Sequence, residues 1–217
     1  MVKIALKILL STLLLVAALP ASGTAAEING RVFDANGKPV TDAVVFVDQL
    51  PPGMAIQATE NKAMLDQVGK AFVPRVLPVS MGTSVSFPNH DQIHHHVYSF
   101  SRTKNFEIPL YKGEMVPSVL FDKVGAVSVA CNIHDWMKGL ILVVPTPYFA
   151  ITDSTGTFSL SDLPPGDYGI VAWHESSRDP PEKTRQIVSS PGTSVPLLFT
   201  LHLDPPPIRP VSGRASP

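Results

Sequence analysis

The chain of 217 residues carries 17 Lys and Arg against 18 Asp and Glu, a formal net charge of −1, and 44% of it is hydrophobic. One cysteine excludes an intramolecular disulfide, and a near balance of charge with no basic run argues against a nucleic-acid partner. Twenty-two prolines, about twice the usual share, argue against long helices and for short strands joined by turns, because proline breaks helix interiors and central strands.

Residues 1–26 read as a secretory signal peptide. Lys3 and Lys7 form a basic start, Ile8 to Leu19 is nearly all apolar, and small residues follow from Pro20 to Ala26, with cleavage expected after Ala26. The apolar run is about 12 residues, short of the roughly 20 that span a bilayer. The mature chain then has 15 basic and 18 acidic residues, a net charge of −3, no transmembrane segment and a periplasmic or secreted location. A lone thiol in that oxidising compartment is buried, paired with another chain or bound to metal.

Residues 27–50 open with Ile28 to Phe33, a turn at Asp34-Ala35-Asn36-Gly37 and a return at Val40 to Val47, which predicts a β-hairpin. The stretch 54–145 holds further strands. Phe72 to Val79 is interrupted by Pro74 and Pro78 and reads as an edge strand. Thr83 to Phe87, Val97 to Phe100 and Val119 to Phe121 are short strands. Over Ala126 to Cys131, Val127, Val129 and Cys131 face one way. Gly139 to Val144 is a continuous apolar run, as in a strand buried on both faces. In residues 146–203, Phe149 to Thr152 leads to a turn at Asp153-Ser154-Thr155-Gly156. Strands follow at Thr157 to Leu160 and Asp167 to Trp173, then a polar loop over 175–186 and a last strand over Val195 to Leu203. The tail 204–217, with five prolines, is expected to be disordered or extended.

Two stretches carry chemistry. One is Cys131-Asn132-Ile133-His134-Asp135-Trp136-Met137, in which Cys, His and Met recur every third residue just after a strand. A loop with this spacing can turn thiolate, imidazole and thioether to one point. One further imidazole completes two histidines and a cysteine with a weak axial methionine, the donor set of a blue-copper electron-transfer site. The other stretch, Phe87-Pro88-Asn89-His90-Asp91-Gln92-Ile93-His94-His95-His96-Val97, supplies that imidazole from a different strand end. A one-residue change of register would exchange which histidine of His94, His95 and His96 points inward. Taken singly, Cys131 suits a buried inert thiol, Met137 a core side chain and the histidine cluster adventitious metal binding. His90 reads as a solvated turn residue, and His174 and His202 as structural or exposed.

Over roughly residues 63–145 these motifs resemble the cupredoxin family, with a loop spacing nearest to amicyanin, and bacterial plastocyanin-like proteins labelled methylamine-utilisation proteins. The resemblance aligns His95-His96-Val97 with the upstream ligand motif. It implies a Greek-key β-sandwich, one type 1 copper held by His95, Cys131, His134 and Met137, and a transient redox protein partner. His96 departs from the family, where Asn often ties the two ligand loops together. Residues 149–173, together with Gly30 to Val40, resemble the carboxypeptidase regulatory-like (transthyretin-like) β-sandwich, a binding or stabilising module. The implied architecture is all-β, with that sandwich split and the cupredoxin domain inserted at 54–145; the alternative is that residues 27–48 belong to the cupredoxin domain itself.

The function expected is a carrier of single electrons. A copper-binding or delivery protein without electron transfer and a structural envelope module are the rival readings. No Ser-His-Asp order, paired carboxylates or Gly-rich phosphate loop suggests an enzyme, and a multicopper oxidase or nitrite reductase needs further ligand sets.

Overall fold

A computed structural model of the chain describes residues 26–56, 61–113, 116–190 and 196–205. The signal-peptide region before Ala26 and most of the proline-rich tail lie outside the described residues. The strands in chain order are β1 (Ala26–Asp34), β2 (Val44–Gln49), β3 (Lys62–Met64), β4 (Asp66–Gln67), β5 (Phe72–Val73), β6 (Val76–Ser80), β7 (Thr83–Ser86), β8 (His95–Phe100) and β9 (Asn105–Tyr111). They continue as β10 (Ser118–Phe121), β11 (Gly125–Cys131), β12 (His134–Val144), β13 (Phe149–Ile151), β14 (Thr157–Leu163), β15 (Gly166–Trp173), β16 (Gln186–Ser190) and β17 (Leu197–Leu201). Among the described residues the one helical piece is a 3-10 turn at Pro181–Thr184, so the fold is all-β. No helix among them is long and apolar enough to cross a membrane.

Of five sheets among the described residues, four stack in layers and the fifth is the small β4-β5 pair. Sheet β14-β1-β17 packs on β13-β2-β15-β16, and sheet β10-β7-β3 packs on β6-β12-β11-β8-β9. The first pair encloses a core of Val32, Val45, Val47, Phe158, Leu160, Tyr168, Ile170 and Phe199. The second encloses Val85, Phe87, Val97, Phe121, Val127, Val129, Cys131, Met137, Ile141 and Val143. A third apolar cluster joins the pairs back to back: Val44, Phe46 and Val171 meet Val76, Leu140, Leu142 and Val144. β12 therefore belongs to two cores, as its uninterrupted apolar sequence requires. Ile141 and Val143 enter one, and Leu140, Leu142 and Val144 enter the other.

The two ends of the chain meet. β1 pairs with β14 and β17, and β2 pairs with β13 and β15, so every strand paired with the first two lies beyond residue 148. The hairpin expected over 28–47 starts and is not continued. A bridge joins Phe33 to Pro39, after which the chain crosses over and β2 joins the opposite sheet. The crossing passes Asp42 at φ 59°, a left-handed conformation that a regular hairpin strand does not contain. The broken Phe72 to Val79 segment is resolved into β5 and an edge strand, β6, which runs parallel to β12.

Thr152 locks the two ends together. Its hydroxyl donates to the Val40 carbonyl at 2.7 Å and accepts from the Ala43 N–H at 2.9 Å, in a site where Thr152 is 2% exposed. Thr152→Val keeps the shape and leaves both backbone groups without a partner, so the urea unfolding midpoint should fall by an amount equivalent to about 2–4 kcal/mol. An unchanged midpoint would show that the two ends are held by strand pairing alone.

Two turns at this end have one design. In Asp34-Ala35-Asn36-Gly37-Lys38, the Asp34 carboxylate accepts from the N–H groups of Asn36 and Lys38, both at 2.9 Å. In Asp153-Ser154-Thr155-Gly156-Thr157, the Asp153 carboxylate accepts from Thr155 N–H at 2.8 Å, Thr157 N–H at 3.0 Å and the Thr155 hydroxyl at 2.7 Å. The Lys38 N–H chiefly holds the Asp34 carboxyl below its ordinary range, and the Thr155 hydroxyl chiefly does so for Asp153. A carboxyl with a depressed folded-state pKa stabilises the fold fully above its unfolded value, here 3.8. That contribution is lost as pH falls through the lower folded value. Stability should therefore drop below about pH 4, and Asp34→Asn with Asp153→Asn should flatten that acid limb in a pH series of thermal melts.

Candidate metal centre

Cys131 ends β11 and His134 begins β12, so the two face each other across the two-residue turn Asn132–Ile133. The pairing then jumps. Ala130 pairs with Lys138 and Cys131 with His134, so Asp135, Trp136 and Met137 form a bulge on β12. This bulge carries the Cys-x-x-His-x-x-Met spacing. It holds His134 opposite Cys131 and returns Met137 to the interior, 1% exposed, in the apolar cluster that contains Cys131. β8 brings the third group. Alternation along it buries His95, Val97 and Ser99, leaves His94 exposed and His96 half-buried, and pairs Val97 with Cys131. Of the adjacent histidines, His95 is the one turned inward.

The result is a compact donor set. His95 Nδ1 lies 3.6 Å from Cys131 Sγ and His134 Nδ1 lies 3.5 Å from it, with all three donor atoms within 4.8 Å of one another. Bonds of about 2.0 Å from imidazole and 2.3 Å from thiolate, set about 120° apart, separate nitrogen from sulfur by about 3.7 Å. The two nitrogen–sulfur distances therefore fit three groups gathered around one first-row metal ion. Among the described residues this is the one cluster of three or more His, Cys, Asp or Glu side chains with such geometry. Cys131 is a free thiol, 3% exposed.

Each imidazole is prepared differently. His95 is fully buried, and its far nitrogen, Nε2, meets Asp91 Oδ2 at 2.8 Å, which leaves Nδ1 for the interior. Asp91 is itself gripped. Val68-Gly69-Lys70-Ala71 forms a tight turn between β4 and β5, with φ of 63° at Gly69 and 60° at Lys70, the signature of a type I′ hairpin turn. The Gly69 and Lys70 N–H groups donate to the Asp91 carboxylate at 2.6 and 2.8 Å. Burial opposes ionisation of Asp91, yet the Lys70 N–H, the His95 ring and the Gly69 N–H outweigh it and hold the carboxyl below the usual range. His134 is half-buried and its ring lies 5.0 Å from that of His95. Partial desolvation, then the neighbouring His95 and Lys70, hold His134 below the ordinary histidine range, so its lone pair is free at neutral pH.

A polar frame lies around this shell. Asn89 donates to the carbonyls of Ile93 and Tyr111 at 2.9 and 3.1 Å and accepts from Asp91 N–H at 3.0 Å, fixing the loop that delivers His95. The buried Tyr111 hydroxyl donates to the Phe87 carbonyl at 2.7 Å and touches the Gln67 amide. Burial pushes the Tyr111 phenol up to about 12, so it stays neutral. The rest of the histidine cluster disperses. His90 pairs with Asp66 and His96 with Glu107, each at 2.8 Å. His202 pairs with Asp179 at 3.0 Å, and half-buried His174 accepts from Ser176 N–H.

No family model and no curated protein matches the chain. Solved structures do. A Cu-containing nitrite reductase from Thermus scotoductus SA-01 is 27% identical over 45% of this chain and 26% of its own, with a TM-score of 0.38. A purple cupredoxin from Nitrosopumilus maritimus is 24% identical over 37% of this chain and 98% of its own, with a TM-score of 0.34. A reduced amicyanin variant is 21% identical over 40% of this chain and 86% of its own, with a TM-score of 0.36. The chain thus spans about a quarter of the reductase. Each alignment covers less than half of this chain, and the chemistry of the site rests on its own geometry.

Proposed function

We propose that the protein is a type 1 copper protein that carries single electrons between periplasmic redox partners. His95, Cys131, His134 and Met137 would hold one copper, the thioether of Met137 as the weakest of the four donors. The observation that carries this reading is the placement of two imidazole nitrogens 3.5 and 3.6 Å from a buried thiol, on a hairpin turn and a neighbouring strand. Copper bound there would supply a reversible couple between Cu(II) and Cu(I). The protein's part is to hold the donors still. All four sit on paired β-strands or their bulge, and His95 is clamped in addition by Asp91, so the donors would move little between the two oxidation states. Trp136, 67% exposed with its ring 5.5 Å from that of His134, and Ile133, 48% exposed, form an apolar rim suited to a small transient contact.

On the same reading, residues 54–145 are a cupredoxin-like domain inserted into a regulatory-like sandwich made of residues 27–50 and 146–203. The pairing of β1 and β2 with strands beyond 148 supports this division. Removal of a signal peptide near Ala26 would place the protein in the periplasm. The chain is read as a carrier and not as an enzyme. Anaerobic loading followed by metal analysis tests the binding claim. One copper per chain, displaceable by no other histidine cluster, is expected. Loading that survives Cys131→Ser at full stoichiometry and affinity would favour a delivery protein using surface histidines.

A further inference from the structure

The outer face of the five-stranded sheet is only half covered. β6 and β12 pack against the second sandwich through Val76, Leu140, Leu142 and Val144. On the other half, a pocket of about 150 Å³ lies between His96, Tyr98, Phe100, Glu107 and Asn132. Three aromatic rings form a ladder along β8. His96 and Tyr98 meet edge-on at 6.2 Å between centroids, and Tyr98 and Phe100 are tilted at 5.0 Å. Phe100 is 79% exposed. The Glu107 side chain is 66% exposed and uses one oxygen, Oε1, on His96. Among the described residues its other oxygen and the Tyr98 hydroxyl have no hydrogen-bond partner.

The lining selects its guest. A carboxylate disfavours anions. A purely apolar guest would leave that carboxylate and the phenol unused. A metal ion would find two strong donors, His96 and Glu107, and among the described residues no third His, Cys, Asp or Glu in reach. A flat cation with several N–H groups uses everything present: aromatic faces attract its charge, and the free carboxylate oxygen and phenol oxygen accept from its edge. A guanidinium group has that shape and donor pattern.

We propose that this pocket receives an arginine side chain of the redox partner, at a docking point separate from the Ile133–Trp136 rim. The inference rests on the electron-carrier reading for the partner's identity. Position supports it: His96 and Asn132 are chain neighbours of His95 and Cys131, and the Asn132 N–H donates to the His96 carbonyl at 3.0 Å. A guanidinium seated here lies one residue away from two of the metal-binding positions.

The test is an NMR titration of the isotope-labelled full protein with acetyl-Gly-Arg-Gly-amide and with the citrulline peptide, its neutral isostere. The arginine peptide should shift the Tyr98, Phe100 and Asn132 signals saturably, and citrulline should bind about tenfold more weakly or less. Glu107→Gln and Phe100→Ala, both at exposed positions, should each weaken arginine binding severalfold, and Trp136→Ala should leave it unchanged. Equal binding of citrulline, shifts centred on Ile133 and Trp136, or no shift overturns the proposal. A copper-loaded protein without the expected colour that still binds the peptide refutes the electron-carrier reading alone. A blue protein that ignores the peptide refutes the pocket alone.

Discussion

Cys131→Ser should give a folded protein that no longer shows intense colour with Cu(II). The side chain is 3% exposed and its sulfur sits between two imidazole nitrogens, at 3.5 and 3.6 Å. A serine hydroxyl can occupy the same place and donate to one of them, so the apo fold should lose no more than about 1–2 kcal/mol. The metal site loses its one anionic, soft donor. Affinity should fall by more than the roughly 10–100-fold that removal of an outer partner costs, because a coordinating group itself is gone. The visible charge-transfer absorption requires a thiolate and should vanish outright, while two imidazoles can still retain a loosely held, pale Cu(II). Circular dichroism with a copper-chelator competition separates loss of ligand from loss of fold.

The second large effect is expected at Asp91, which is not one of the proposed ligands. Its carboxylate holds His95 Nε2 at 2.8 Å while the Gly69 and Lys70 N–H groups hold the carboxylate. Asp91→Ala frees the His95 ring to rotate and leaves two backbone donors and one ring nitrogen without their acceptor. Copper affinity should drop about 10–100-fold, and the apo protein should lose about 1–3 kcal/mol. Asp91→Asn retains one carbonyl oxygen and should recover part of both. A merely local structural role for Asp91 would instead give equal loss of stability in both variants with no change in affinity for copper.

The candidate centre was legible where one short segment contains its side chains. Cys131, His134 and Met137 follow a strand at fixed spacing, and the alternation of Val127, Val129 and Cys131 assigns the cysteine to the interior. His95 was legible only with the resemblance, since three adjacent histidines read alike. The alternating burial of His95, Val97 and Ser99 is what separates them. The clamp on His95 was not legible. Asp91 reads as a turn residue, and its partners come from a turn about twenty residues earlier, Gly69–Lys70, whose Gly-Lys pair is the one local signal. Among the strands, β9 escaped because Pro109 and the exposed Glu107 and Leu110 blur its alternation. The hairpin expected at the start failed because a turn sequence such as Asp34-Ala35-Asn36-Gly37 specifies the reversal and not the sheet that the next strand joins. The two-faced burial of Gly139 to Val144 was readable, because an unbroken apolar run has no polar side to show to water.

The central claim is that one copper is bound through Cys131 with His95 and His134. The direct measurement is the optical and electron-spin-resonance spectrum of the protein loaded with one equivalent of Cu(II). Intense visible absorption with a narrow copper hyperfine splitting, both absent in Cys131→Ser, is the result predicted here. A pale spectrum of ordinary tetragonal copper, the same in the wild-type protein and in Cys131→Ser, would contradict it.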